Sequence, residues 1–86
     1  MHLNHTQYGN HQKNHMIIIH GLFGSSENWK SIASKLSNNF CVTCIDCRNH
    51  GDSFHNDSMS YEEMAEDIKI TMDHLNIDKT VILGHS

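Results

Sequence analysis

The sequence predicts an α/β protein with a mainly parallel sheet and flanking helices. Three apolar runs, at residues 16–19, 40–46 and 80–83, are each followed at once by a glycine-containing turn. Two segments with helical apolar spacing separate these runs. Short continuous apolar runs are typical of strands buried in a parallel sheet, and alternating strands and helices are typical of the α/β class. We therefore expect functional loops at the carboxyl ends of the three strands.

Residues 1–15 form a polar N-terminal segment that is rich in histidine and asparagine. We expect residues 1–9 to contribute an edge strand or a hairpin arm, and residues 9–14 to form a polar turn.

The first helix is predicted between the first two apolar runs. Apolar residues at helical spacing define one face there: Trp29, Ile32, Ala33 and Leu36. Ser25 or Ser26 suits the N-cap, with Glu27 in the first turn. Two asparagines at 38 and 39 predict its end.

The second helix has the strongest pattern in the chain. Its apolar positions follow helical spacing: Tyr61, Met64, Ala65, Ile68, Met72 and Leu75. Ser60 and Glu63 form the S-x-x-E pattern of a capping box, and Asn76 suits a left-handed residue after the helix. We interpret the methionines as core residues and the acidic positions as a solvated face: Glu62, Glu66, Asp67 and Asp73.

The order of elements limits the topology. Crossovers between parallel strands are right-handed. If the second and third apolar runs flank the first, the two helices cover opposite faces of the sheet. The carboxyl ends of the first and third runs then border a topological switch point, where ligands bind.

Composition excludes several classes of partner. The formal net charge is −4, and the six Lys and Arg residues are scattered singly, so we expect neither nucleic-acid nor membrane binding. No apolar run approaches the roughly 18 residues of a membrane span, and the N-terminus has no apolar signal core. We expect a cytoplasmic protein.

Three cysteines at 41, 44 and 47 give a C-x2-C-x2-C pattern. An iron–sulfur site needs a fourth cysteine, and alternation within a strand would turn Cys44 away from the other two. We interpret them as reduced core residues of a cytosolic protein. The histidines of the N-terminal segment match no structural zinc spacing, so we expect no metal and no cofactor.

The triplet G-H-S at 84–86 is the most informative feature for chemistry. It directly follows an apolar run, as the first half of a nucleophile elbow, G-x-S-x-G. The serine of such an elbow sits at a sharp, strained strand-to-helix turn, and a neighbouring glycine lets backbones approach closely. Many Gly-x-Ser triplets are ordinary turns, so the interpretation depends on the turns after the other two runs.

Three ordered motifs resemble those of the α/β-hydrolase superfamily. They are H-G-L-F-G-S at 20–25, D-x-R-N-H-G-x-S at 46–53 and G-H-S at 84–86. Within the superfamily the chain is most similar to YbfF-type bacterial esterases, whose relatives act on acyl esters and acyl thioesters. Asn49 stands where the usual superfamily pattern has glycine, which favours this subgroup. The resemblance implies that residues 16–86 are the incomplete N-terminal half-domain of an α/β-hydrolase fold, ending at the nucleophile elbow.

The resemblance also implies roles for individual residues. Ser86 matches the nucleophile, and the backbone N–H of Leu22, or else that of Phe23, matches an oxyanion-hole donor. The side chains of Leu22 and Phe23 either line an acyl pocket or simply pack. Further positions match residues that support the site: His20, Gly21, Asp46, Arg48, His50, Gly84 and His85.

The activity implied by this resemblance is serine hydrolysis of a small acyl ester or thioester, through an acyl-enzyme on Ser86 and without a cofactor. The acid and the base of the triad follow the serine in the chain order of this fold, so we expect negligible activity from this chain alone. The sequence makes no prediction of oligomeric state.

Two other readings stay open. One is a truncated, non-catalytic α/β protein or binding module. The other is a dinucleotide-binding domain, in which Asp46 would bind a ribose, although the G-x-G-x-x-G pattern is absent.

Overall fold

A computed structural model describes residues 1–21 and 24–85 and confirms the predicted α/β class. Within these residues, two helices and four strands follow one another, with a short 3₁₀ turn before the first helix. In chain order these elements are β1 (His5–Tyr8), β2 (His15–Ile19), the 3₁₀ turn (Ser26–Trp29), α1 (Lys30–Leu36), β3 (Cys41–Ile45), α2 (Tyr61–His74) and β4 (Thr80–Gly84).

The four strands form one mostly parallel sheet in the order β1-β3-β2-β4. Strand β2 is parallel to both β3 and β4, with Ile19 paired to Ile45 on one side and to Gly84 on the other. The first apolar run is therefore central, flanked by the second and the third. The N-terminal segment adds an edge strand, because β1 pairs antiparallel with β3. The carboxyl ends of β2, β3 and β4 lie at the same edge.

The core consists of two clusters on opposite faces of the sheet, because successive side chains of a strand point to opposite faces. The cluster on the α1 side contains Met16, Ile18, Ala33, Val42 and Cys44. The cluster on the α2 side contains Leu3, Ile17 and Ile45, with Ile68 and Met72 packed against it. Full burial of one such aliphatic side chain contributes about 1.5–3 kcal/mol. The two helices thus cover opposite faces, as the topology predicts.

Strand β4 differs from the prediction of a buried strand. Val81 is 51% exposed and Ile82 53% exposed. Among the described residues, β4 pairs only with β2, and neither core cluster includes a residue of β4. Its other edge is therefore an unpaired apolar edge, which favours association with further strands.

The first helix begins with the 3₁₀ turn and not directly as an α-helix. Ser25 is its N-cap, and the N–H of Ser25 donates to Oδ1 of Asn28 at 2.9 Å. Ala33 is buried as predicted, but Ile32 is exposed on the outer side of the helix.

The second helix is capped at both ends as predicted. The N–H of Glu63 donates to Oγ of Ser60 at 3.1 Å, and the N–H of Ser60 donates to Oε1 of Glu63 at 3.2 Å. Asn76 has a φ of 58°, the left-handed conformation that often follows a helix.

The buried face of α2 is rotated from the predicted one. Tyr61 is 85% exposed and Ala65 is exposed, whereas Asp67 is only 4% exposed. The prediction that Asp67 lies on a solvated face is therefore wrong. The physical reason is a charge partner from another segment, because Nε and Nη2 of Arg48 donate to the two carboxylate oxygens of Asp67 at 2.6 and 2.8 Å. Thr71, one turn later, is buried and accepts a hydrogen bond from the N–H of Leu3 at 2.9 Å.

The cysteines are free thiols, with Cys41 and Cys44 buried and Cys47 partly buried. Burial raises the pKa of Cys44 to about 11. Strand β3 ends at Ile45, so Cys47 lies beyond the strand, contrary to the assumption that all three share it. Within residues 1–21 and 24–85, no group of three or more His, Cys, Asp or Glu side chains could hold a metal ion. Neither helix of this part of the chain has the length and apolar content needed to cross a membrane.

The ion pair of Asp67 provides a test of the corrected helix face. Asp67→Asn keeps the size of the side chain but removes the charge that balances the buried guanidinium of Arg48, so we expect a clear fall in the urea midpoint of unfolding. Asp73→Asn is the matched control, because Asp73 lies on the same helix and its ion pair with Lys69 is exposed. Exposed pairs contribute little. Equal midpoints for the two variants would contradict this account of α2.

Candidate active site at the carboxyl edge of the sheet

A cleft of about 400 Å³ lies where the carboxyl ends of the strands meet the start of α2. Its size is within the usual range of ligand clefts, about 300–1,000 Å³. Residues from the ends of β2, β3 and β4 and from the start of α2 line it: Ile19, His20, Gly21, Cys47, His50, Met59, Tyr61, Met64 and His85. The structure therefore brings four predicted supporting residues, at positions 20, 21, 50 and 85, to one cleft.

The start of the loop after β2 is fixed by His20, which is buried. The N–H of Cys47 donates to Nε2 of His20 at 3.0 Å. Because Nε2 accepts, the neutral ring carries its proton on Nδ1, and Nδ1 lies 2.7 Å from the carbonyl oxygen of Gly21. That oxygen also accepts from the N–H of Gly24 at 2.9 Å. The His20 ring therefore connects the loop after β2 with the loop after β3.

The end of the same loop is fixed by Asp46, which is 2% exposed. Its Oδ1 accepts from the N–H of Ser26 at 2.7 Å. Its Oδ2 accepts from Nδ2 of Asn4 at 2.8 Å and from the N–H of Asp52 at 3.1 Å. Burial alone would raise the pKa of Asp46, but the hydrogen bonds from Ser26, Asn4 and Asp52 outweigh burial and lower it. Asp46 is therefore a buried carboxylate that joins three segments.

Asp46 and Cys47 are consecutive, so one short segment after β3 holds both ends of the loop at residues 20–26. The predicted oxyanion donors Leu22 and Phe23 belong to this loop and lie outside the described residues, as does the predicted nucleophile Ser86. Their roles stay predictions.

The loop after β3 turns through two left-handed residues, Asn49 with φ 65° and Gly51 with φ 49°. Asparagine tolerates this conformation better than most residues, which explains how it replaces the glycine of the superfamily pattern. Gly51 has a second constraint, because a Cβ atom there would lie 2.4 Å from Cγ of Asp46. A larger residue at 51 would displace the carboxylate.

Arg48 lies between these positions and connects the loop to α2. Besides binding Asp67, its Nη1 donates to the carbonyl oxygen of Ser58 at 2.8 Å and to Oε2 of Glu63 at 3.1 Å. Its guanidinium carbon lies 5.2 Å from the centre of the Phe54 ring. The pKa of Glu63 is lowered to about 2, first by the hydrogen bond from the Ser58 hydroxyl. Arg48 is absent from the lining of the cleft, so its contacts are those of a residue that fixes the loop.

The remaining supporting positions lie on both sides of the cleft. The ring of His50 is 4.9 Å from that of His20, and its Nδ1 lies 2.9 Å from the carbonyl oxygen of Arg48. The N–H of His85 donates to the carbonyl oxygen of Ile19 at 3.1 Å, which extends the pairing of β2 and β4 by one residue.

Gly84 gives no sign of close packing in the described chain. A Cβ atom there would meet nothing within 4 Å. The need for a small residue at 84 therefore stays a prediction.

Sequence reasoning missed Asn4 and Ser26 as partners of Asp46, and Met59 as part of the cleft. Asn4 and Ser26 are 42 and 20 residues from Asp46 in sequence. The available signal was Asp46 itself. An acidic residue at the end of a buried strand needs hydrogen-bond donors, but its position does not identify them.

Asp46→Asn tests whether the Asp46 carboxylate clamps these three segments together. An amide has one acceptor oxygen and cannot receive all of these donors, so we expect a loss of about 1–3 kcal/mol in the free energy of unfolding at neutral pH. The lowered pKa gives the sign of the pH dependence. The stabilising contribution of Asp46 is complete above the unfolded pKa, about 3.9, and is lost as pH falls through the folded pKa.

The variant should therefore lose less stability in acid than the wild type does, which urea titrations at neutral pH and at pH about 3 would measure. Asp52→Asn is the control, because it makes the same charge change on an exposed side chain whose backbone N–H keeps its bond. Equal stability of Asp46→Asn and Asp52→Asn at neutral pH would rule out the clamp.

Comparisons with known proteins confirm the resemblance. The family described as alpha/beta hydrolase fold matches residues 14–86. Esterase YbfF from Escherichia coli (strain K12) is 38% identical over 81 residues, which are 94% of this chain and 32% of that protein. The sn-1-specific diacylglycerol lipase ABHD11 from Danio rerio is 41% identical over 73 residues, 83% of this chain and 23% of the relative.

Among solved structures, a marine microorganism esterase superposes with a TM-score of 0.95 at 46% identity, covering 99% of this chain and 32% of the esterase. The chain spans a third or less of the length of these relatives. By family match and by fold, the chain belongs to the α/β-hydrolase family.

Proposed function

We propose that this chain supplies the N-terminal part of a serine hydrolase that cleaves small carboxylic esters or acyl thioesters. The observation that carries the proposal is the loop at residues 20–26, held at both ends by Asp46 and Cys47 beside a cleft that His85 also lines. A loop fixed in this way suits donors that must be in place before charge develops. The relatives named as an esterase and a lipase support the same reaction class.

In the proposed reaction the hydroxyl of Ser86 attacks the acyl carbonyl carbon while a general base takes its proton. The backbone N–H of Leu22, or else of Phe23, donates to the oxygen that becomes negative. Collapse of the tetrahedral intermediate releases the alcohol or thiol and leaves an acyl-enzyme, which water then hydrolyses. No cofactor takes part in these steps.

We propose that the chain has two parts. Residues 1–15 brace the sheet, and residues 16–86 form the half-domain that carries the nucleophile. In the chain order of this fold, the acid and the base follow the serine. We therefore expect the 86-residue chain alone to have negligible activity, and we propose a cytoplasmic location for the enzyme.

A fluorophosphonate probe tests the nucleophile. We expect the complete product of the reading frame that encodes this chain to be labelled, and its Ser86→Ala variant to lose the label, because the probe reacts with activated serines. We expect no label on the 86-residue chain. Ser34→Ala, at an exposed position of α1, should leave labelling unchanged. Labelling that survives Ser86→Ala would disprove the assignment.

His20→Ala tests the loop. Removal of the ring breaks the connection to Cys47 and removes one of the two contacts of the Gly21 carbonyl oxygen, so the oxyanion donor should be displaced. Loss of one such donor lowers kcat about 10²–10³-fold, and we expect a fall of that order with little change in KM. His11→Ala, in the exposed turn before β2, is the control. A kcat equal to that of the wild type would show that the His20 ring does not position the oxyanion donor.

A further inference from the structure

The cleft has two walls of different chemistry. The loops after the strands contribute a polar wall: His20, Cys47, His50 and His85. The start of α2 contributes an apolar wall: Met59, Tyr61 and Met64. Ile19, the last residue of β2, adds a further apolar side chain to the lining.

The two methionines of this wall are not part of the core. Met72 of α2 packs against the buried cluster on the α2 side, whereas neither Met59 nor Met64 belongs to either cluster of the described residues. Met59 is 37% exposed and Met64 is partly buried. The interpretation of the α2 methionines as core residues therefore holds for Met72 but not for Met64.

Local structure brings Met59 and Met64 to the same place. Met59 precedes the N-cap Ser60 and Met64 is the fourth helical residue, which are the two positions of a hydrophobic staple. The capping box and the contact between Glu63 and Arg48 fix this end of α2. These contacts fix the part of the backbone that carries the apolar wall.

We propose that Met59 and Met64 form the acyl-chain subsite of the hydrolase and select linear acyl groups longer than acetyl; this rests on the proposed function. Methionine is unbranched and has three rotatable bonds, so it adapts to a flexible hydrocarbon chain. In an ester or thioester with a polar leaving group, the acyl chain is the hydrocarbon part. The acyl chain therefore matches the apolar wall, and the leaving group matches the polar wall.

The test uses the complete product of the reading frame and two series of esters. In one series the acyl chain grows from acetyl to octanoyl with p-nitrophenol as the leaving group. In the other the acyl group stays acetyl and the alcohol grows from ethanol to octanol. Two variants are compared with the wild type, Met59→Ser and Met64→Ala. Met59→Ser changes a residue that is exposed and lies before the helix, so we expect this variant to fold. It still tests the subsite if Met64→Ala does not fold.

We expect the ratio of kcat/KM for octanoyl over acetyl esters to fall about tenfold in each variant, since a lost apolar contact in a pocket costs at least that much selectivity. The alcohol series should not change its ratios. Met72→Ala is the matched control: it removes a methionine of the same helix that packs in the core, so it lowers stability without altering the acyl ratio. A ratio within a chain-length series does not depend on the fraction of folded enzyme.

The possible results separate the two proposals. Unchanged acyl ratios in both methionine variants, or a change in the alcohol series instead, overturn the subsite while hydrolysis itself stands. Absence of hydrolysis for every ester, together with no fluorophosphonate labelling of the wild type, overturns the proposed function and the subsite with it.

Discussion

The buried carboxylate of Asp46 is the interaction on which the geometry of the cleft depends. A charged group removed from water is strongly unfavourable unless donors surround it. Its donors come from three segments: the N-terminal segment, the end of the loop after β2 and the loop after β3. The hydroxyl of Ser53 adds a bond to the carbonyl oxygen of Asp46 and itself accepts the N–H of Asn4. The requirement to solvate one carboxylate thus brings together three separate segments of the chain.

An ion pair connects the same loop to α2. Asp46 binds residues 4 and 26, which precede it, as well as Asp52 in its own loop, whereas Arg48 binds Asp67 on α2. Together they place the loop after β3 between the loop after β2 and the start of α2. Polar contacts from the loop after β3 therefore position the loop after β2 and the start of α2, whereas the backbone ladder between β2 and β4 positions His85.

The parts of this arrangement that could be predicted are those that depend on local sequence patterns. Apolar runs, helical spacing and the S-x-x-E cap indicated the strands, the helices and the α/β class correctly. Asp67 was misassigned because an acidic residue on a helix looks the same whether water or a distant arginine is its partner. Asn4 was missed for a related reason, since its target is 42 residues away. The exposure of β4 could not be read from its sequence, because an apolar run indicates a tendency to be buried but not which element covers it.

The two halves of the cleft are held by different means. The side formed by the loops after β2 and β3 is fixed by side-chain hydrogen bonds with defined partners. The side that leads to Ser86 is fixed by the backbone ladder between β2 and β4, up to the bond from His85 to Ile19. Register in a ladder is strongly specified when one face of the strand is buried, because a slip of one residue would exchange the faces. Both faces of β4 are exposed in the described chain, so burial does little there to select the register that places residue 85 beside the cleft. It follows that any element covering β4 would act on the site through register, by fixing the distance between the end of β4 and the loop clamped by Asp46.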